Sequence, residues 1–457
     1  MSKRFAWLVG VAVLVSIGFL VACGSNYNPS SDGLVLVGSQ GSALIETFSF
    51  NLFNGHLSAI ANTPINTSSE VCVLKGLPSS IVVDPKGTYA YTIINANSSC
   101  SGSTTGILAF KVNSDGTTSA VGSPVAFSQG KVTIQGAAPP DNTEMVPVVP
   151  NTMVMDAAGK FLFVADRATT DSNKLYVPGS VSVFAIGSGG SVTEVAGSPF
   201  YPSPSIPPFT VPQSSFDIVS VAPTPTVFPA IGINGVQNAV CSAPGLHPPT
   251  TQYLYAVDGI GNQVFEFSVN TSSGVLTNPT NLSQEPSFST DQTPAGVAVD
   301  PCNRFVYVSD SLTNKVSAYT ICNGSTTQAS TCPQIPDGSL VQVAGSPFSL
   351  AGSANGAGPL VVDPYGNNIY VLGTLSNTVS QLKISPVSGS LIAASPATVA
   401  TGLQPTSLAL RGDDNWLFVT NFNAASVSQY SITPATGALS VGPAFQTDNY
   451  PWGVAVK

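Results

Sequence analysis

The chain has 457 residues, of which 8% are charged; 14 Lys and Arg stand against 23 Asp and Glu, a formal net charge of −9. It has no Lys/Arg run, which excludes a nucleic-acid binder and direct attraction to an anionic membrane surface. Glycine and proline, at 42 and 37, fit short strands separated by many turns.

In chain order, Lys3 and Arg4 precede an apolar run from Phe5 to Val21 that ends Leu20-Val21-Ala22-Cys23. A basic start before an apolar core reads as an export signal. The last four of these residues resemble a bacterial lipobox. That implies removal of residues 1–22 as a signal peptide, lipidation of Cys23, and a short tether over residues 23–32. Gly24, where an aspartate would retain the protein, resembles outer-membrane sorting. The protein is then expected in the bacterial cell envelope, touching the membrane only through its lipid, because several acyl chains together give stable anchoring. An uncleaved membrane anchor is the alternative.

Residues 33–457 are expected to form one all-β domain. One alternating pattern returns seven times: ETFSF after Ile45, ILAFKV from Ile107, VSVFAI from Val181, VFEFSV from Val264, VSAYTI from Val316, VSQLKI from Val379 and VSQYSI from Val427. Alternation of this period is that of a half-buried strand. Upstream of most copies lie two strands and a tight turn, as in IVVDPKGTYAY from Ile81, MVMDAAGKFLFV from Met153, VAVDPCNRFVYV from Val297, LVVDPYGNNIYV from Leu360 and LALRGDDNWLFV from Leu408. Proline presets φ in such a turn, aspartate bonds the backbone ahead, and Gly or Asn accepts a positive φ. Downstream comes a fourth strand ending in a small-residue turn, read as VAGSPF at both 195–200 and 343–348.

Four antiparallel strands, A to D, repeated seven times read as a seven-bladed β-propeller. The chain ends on a lone A strand, Pro451 to Lys457, and begins at Gly33 with a B strand that lacks one. The C-terminal strand is therefore expected to complete the first blade, closing the ring and removing its exposed edges. An open solenoid is the alternative architecture. A monomer is expected.

In a propeller the D–A and B–C loops share one face, here called the top, and the A–B and C–D loops share the bottom. Cys72 and Cys100 then fall together on top, Cys241 and Cys302 together at the bottom, and Cys322 and Cys332 at the ends of one C–D insertion. The expected disulfides are Cys72–Cys100, Cys241–Cys302 and Cys322–Cys332. With no CxxC pair or His cluster, a metal site is not expected. A carboxylate-lined funnel can bind Ca²⁺, but no acidic loop motif supports it, and no cofactor is assigned. His56 and His247 fall in bottom loops. Asp84, Asp156, Asp300 and Asp363 are A–B turn residues, and Asp166, Asp310 and Asn421 are expected to cap turns at the ends of B strands. Asp291 and Asp448 are further top-face polar residues. Asp141 and Glu144 sit in a long D–A loop, 128–147, that the repeat does not explain. Glu144, Asp166 and Arg167 form the candidate catalytic cluster: carboxylates to activate water and a cation to hold an anion. The Pro-rich loops 128–147, 201–213 and 223–250 are candidate binding elements.

The last unit reads Phe418-Val419-Thr420-Asn421, then VSQYSI, then GALS. With the DPxG…YV and TGxL elements, this resembles the YVTN-type repeat of the lactonase family of seven-bladed propellers, which includes 6-phosphogluconolactonase-like and muconate-cycloisomerase-like members. The resemblance spans residues 33–457 and implies the propeller fold. For activity it implies hydrolysis of a sugar lactone. Its motifs are strand and turn residues that non-enzymatic propellers share, and Arg167 is the one arginine assigned to the top. Two readings follow: a non-catalytic binding or scaffold protein engaging an envelope protein or glycan, and, as the alternative, a lactonase acting on a small sugar lactone.

Overall fold

A computed structural model of the chain describes residues 32–64, 76–96, 104–133, 143–170, 176–202, 216–225, 251–278, 287–322, 332, 337–352 and 354–457. The expected signal peptide, lipidated Cys23 and most of the tether lie outside these residues. So do Cys72, Cys100, Cys241, Asp141, His247 and most of the loops 201–213 and 223–250.

Seven antiparallel sheets carry strands in the order A-B-C-D. Blade 2 begins with strand A at Leu77–Val83, blade 3 at Val149–Met155, blade 4 at Ile218–Pro223, blade 5 at Pro294–Val299, blade 6 at Ala357–Val362 and blade 7 at Pro405–Leu410. Blade 1 is built from both ends of the chain. Pro451–Val456 pairs with Asp32–Ser39, Val35 lying opposite Val456, so the C-terminal strand closes the ring as expected. Two hairpins stand apart from the blades: Gly130–Thr133 with Thr143–Val146, and Thr169–Thr170 with Tyr176–Val177.

The VAGSPF turn differs from its reading. It divides strand D rather than ending it: Leu340–Gln342 and Phe348–Ser349 both pair with Lys315–Ile321. Gly345, at φ +86°, and Pro347, which has no N–H, cannot continue a ladder. Ser346 Oγ repairs the break by accepting the Ala318 N–H at 2.8 Å.

Side chains along each B strand alternate between the two neighbouring blades. Phe161 and Phe163 pack with Leu254 and Phe265 of blade 4, while Leu162 and Val164 pack with Tyr91 and Ile93 of blade 2. Blades are also stitched by a recurring polar pair. Tyr255, Tyr307 and Tyr370, all fully buried, donate their hydroxyls to the carbonyls of Gly338, Gly389 and Gly437 in the C–D turn of the next blade, at 2.6, 3.1 and 2.8 Å. These glycines are required. Gly389 has φ +72°, and a Cβ there would lie 2.5 Å from the Phe305 ring.

The turn aspartates act as caps. Asp84 accepts the N–H groups of Thr88 and Tyr89, Asp156 those of Lys160 and Phe161, and Asp363 those of Tyr365 and Asn367. Asp300 accepts the Cys302 N–H and a buried ion pair from Arg304, whose Nη1 and Nη2 also donate to the carbonyls of Pro386 and Gly366 in blade 6.

Candidate functional site on the top face

Arg167 ends strand B of blade 3 at the top. Its Nε and Nη2 donate to Asp217 Oδ1 and Oδ2 at 2.7 and 2.6 Å, a bidentate charge-assisted pair. Asp217 is itself fixed. Its Oδ1 accepts the Ala168 N–H, and its N–H donates to Asp258 Oδ1 at 2.9 Å. Gln263 Nε2 holds the other Asp258 oxygen. A relay of three side chains thus aims one guanidinium, which stays 44% exposed while Asp217 is 7% exposed.

Asp217 and Asp258 were not singled out in the sequence. Asp258 was legible, because it ends strand B in the register of Asp166, Asp310 and Asn421. Asp217 carried no signal. It occupies the position just before strand A where blades 5, 6 and 7 have Thr293, Gly356 and Gln404. There the N–H is capped by Asn262, Asn314 and Asn377 of the preceding blade.

Of the expected cluster, Asp166 and Arg167 do not converge. Consecutive strand residues point to opposite faces, so Arg167 turns to blade 4 while Asp166 lies on the side facing blade 2. Asp166 is 1% exposed and accepts the hydroxyls of Ser180 and Ser182 at 3.0 and 2.7 Å; Oδ1 has no partner. Burial pushes its carboxyl up to about 7, against the lowering effect of both serines. Glu144 lies on the 128–147 hairpin, opposite Val132 in register; its side chain is outside the described residues.

Asp258 caps its turn by accepting the Ile260 N–H, but Asp310 and Asn421 do not cap turns as expected. They lock strand B to strand C. Asp310 accepts the Ser317 N–H and hydroxyl, and burial drives it up to about 7. Asn421 donates to Ser426 and Ser428. The physical reason is depth: each is fully buried, and a polar group there pairs with the adjacent strand.

Elsewhere on top, Lys315 pairs with Asp291 at 2.9 Å. Glu46, raised by burial, accepts the Ser39 hydroxyl and the Asp448 N–H, and Ser42 bonds Asp448. Phe422 packs on Tyr450 and Trp452 with centroids 4.9 and 5.4 Å away. Exposed apolar residues also cluster here: Ile260, Leu312, Leu375 and Leu403, 54 to 72% exposed, crown three successive B–C turns and the loop entering blade 7.

At the bottom, His56 is exposed, and its ring meets Ser58 and the edge of Phe445. Cys322 and Cys332 form a disulfide across the blade 5 insertion. Cys302 is disulfide-bonded to a residue outside those described. Among the described residues no group of three or more His, Cys, Asp or Glu could hold a metal.

Residues 245–334 and 323–452 match the model of the family described as Lactonase, 7-bladed beta-propeller. The C-terminal blades carry the lactonase-family repeat. Solved structures agree with a lactonase-type fold along almost the whole chain. A candidate 6-phosphogluconolactonase from Bacteroides uniformis is 16% identical, with 93% of this chain and 100% of that chain covered and a TM-score of 0.61. The periplasmic gluconolactonase of Pseudomonas aeruginosa is 16% identical, with 93% and 99% covered and the same score of 0.61. No curated protein matches the chain in sequence.

Proposed function

We propose that this lactonase-type propeller hydrolyses a sugar-derived lactone on its top face, with Arg167 as the electrophilic group. The observation that carries this reading is the Arg167–Asp217 pair: a guanidinium fixed on one edge and open on the other, on the face where the long D–A loops stand. A fixed cation of this kind is stronger for charge that develops in the transition state than a mobile lysine. In the reaction, water attacks the lactone carbonyl carbon, the ring C–O bond breaks, and the water proton passes to the departing alkoxide. Arg167 stabilises the oxyanion. The gluconolactonase-type neighbours support the substrate class through shared fold alone. The basic start, apolar run and lipobox-like residues 20–23 support an envelope location for this activity.

The test is hydrolysis of δ-gluconolactone and a panel of sugar lactones above the spontaneous rate. Arg167→Ala is expected to lower kcat/KM about 100-fold or more, and Asp217→Asn less, because it only releases the guanidinium. An active Arg167→Ala enzyme, or no turnover by folded protein, sinks the reading.

A second reading has its own observation. The exposed Ile260, Leu312, Leu375 and Leu403 arc on the top of blades 4 to 7 suits a non-catalytic grip on an envelope protein. Crosslinking in intact cells from Leu312 and Leu375 tests it; the absence of any specific adduct counts against it.

A further inference from the structure

Between blades 2 and 3, on the bottom face, lies a cleft of about 510 Å³. Its floor breaks the stitching pattern of blades 4 to 6. Tyr91 holds the same strand position as Tyr255, Tyr307 and Tyr370 and is fully buried, yet its hydroxyl has no partner. One departure in sequence opens the gap. The C–D turn of blade 3 reads Gly187-Ser188-Gly189-Gly190-Ser191 and winds as a 3₁₀ turn almost bare of side chains. Opposite Tyr91 stands Ala109, as Ala318 stands opposite Tyr307, whose hydroxyl is nonetheless bonded, so the turn is what differs.

A buried hydroxyl left without a partner is unfavourable, so a ligand that supplies one gains selectivity. Around Tyr91 the cleft is lined by the Tyr89 ring, the hydroxyl-bearing Thr88 and Ser188, Asp84 and Lys86. The Asp84 carboxylate is already engaged by backbone N–H groups. Besides the lining Lys86, two exposed lysines adjoin lining residues: Lys111 lies opposite Tyr89 in register, and Lys160 follows Gly159. In a chain with a net charge of −9 this is a local concentration of cations, and it selects anions.

We propose that this cleft binds an anionic sugar: a hydroxylated ring or chain stacked on Tyr89, hydrogen-bonded at its buried end by Tyr91, with a carboxylate or phosphate towards Lys86. The site is separate from the top-face chemistry and does not depend on it. Calorimetric titration of the full-length protein in detergent with gluconate, glucose 6-phosphate and glucose tests it. At least one anion is expected to bind saturably and more tightly than glucose; gluconate alone identifies a carboxylate, glucose 6-phosphate alone a phosphate. Tyr91→Phe is expected to weaken binding about tenfold without lowering Tm, since no bond within the fold is lost. Lys86→Ala is expected to weaken the anions and leave glucose unchanged. Arg167→Ala is expected to leave this binding intact even if lactone turnover falls. No binding by any probe, binding unaltered in Tyr91→Phe, or binding lost in Arg167→Ala each overturns the proposal.

Discussion

Blades 5 to 7 and blades 2 to 3 use the same strands to different ends. In blades 5 to 7 the junction contacts are repeated: an asparagine from the preceding blade caps the entry to each A strand, and a turn glycine receives the tyrosine hydroxyl at both the 5–6 and 6–7 junctions. In blades 2 and 3 the tyrosine is unpaired, a hairpin replaces the short D–A loop, and an arginine pairs across to blade 4. The family match covers residues 245–452, the part where the pattern holds. Repetition marks what the ring needs to close, so its interruptions point to what this chain has added.

The sharpest way to break the comparison is at the turn glycines. Gly389→Ala is expected to cost about 3 kcal/mol or more in denaturant unfolding, because a Cβ meets Phe305 at positive φ. Gly189→Ala, also at positive φ but with nothing within 4 Å, is expected to cost only about 1 kcal/mol. Equal losses would mean the glycines serve only their backbone angle.

Next comes pH. Burial raises Asp310 and Asp166 up to about 7 and Glu266 and Asp414 up to about 8. A carboxyl raised in the folded state binds protons more tightly there, so its stabilising contribution is full below the unfolded value near 4 and is lost as pH rises through 7 to 8. Tm is therefore expected to be higher at pH 5 than at pH 8.5. Asp310→Asn, which copies Asn421 of blade 7, should flatten part of that slope; an unchanged slope assigns it to other groups.

The smallest effect separates the tyrosines. Tyr307→Phe loses a bond to Gly389 and is expected to cost about 1 kcal/mol. Tyr91→Phe is expected to cost nothing or to stabilise.

Blade number, strand order and ring closure were legible because alternation and turn chemistry act locally and recur. The division of strand D was misread, since VAGSPF looks like an end until Ser346 is seen to rejoin the ladder. The site was harder. Glu144, Asp166 and Arg167 are near in sequence, but the two adjacent residues face opposite blades. The real partner of Arg167 is Asp217, 50 residues on, in a loop position where no two of the compared blades agree. Pairings between blades have no period to reveal them.

Closure within blade 1 brings Ser42 against Asp448, 406 residues apart. Such contacts form last and slowly, because the intervening chain must be ordered first. Yet in the finished ring this seam is one junction among seven. A circular permutant that joins residue 457 to residue 33 and opens at the Ser385–Ser390 turn gives up only the contacts of Pro386 and Gly389 with blade 5, and moves the slow step to blade 6.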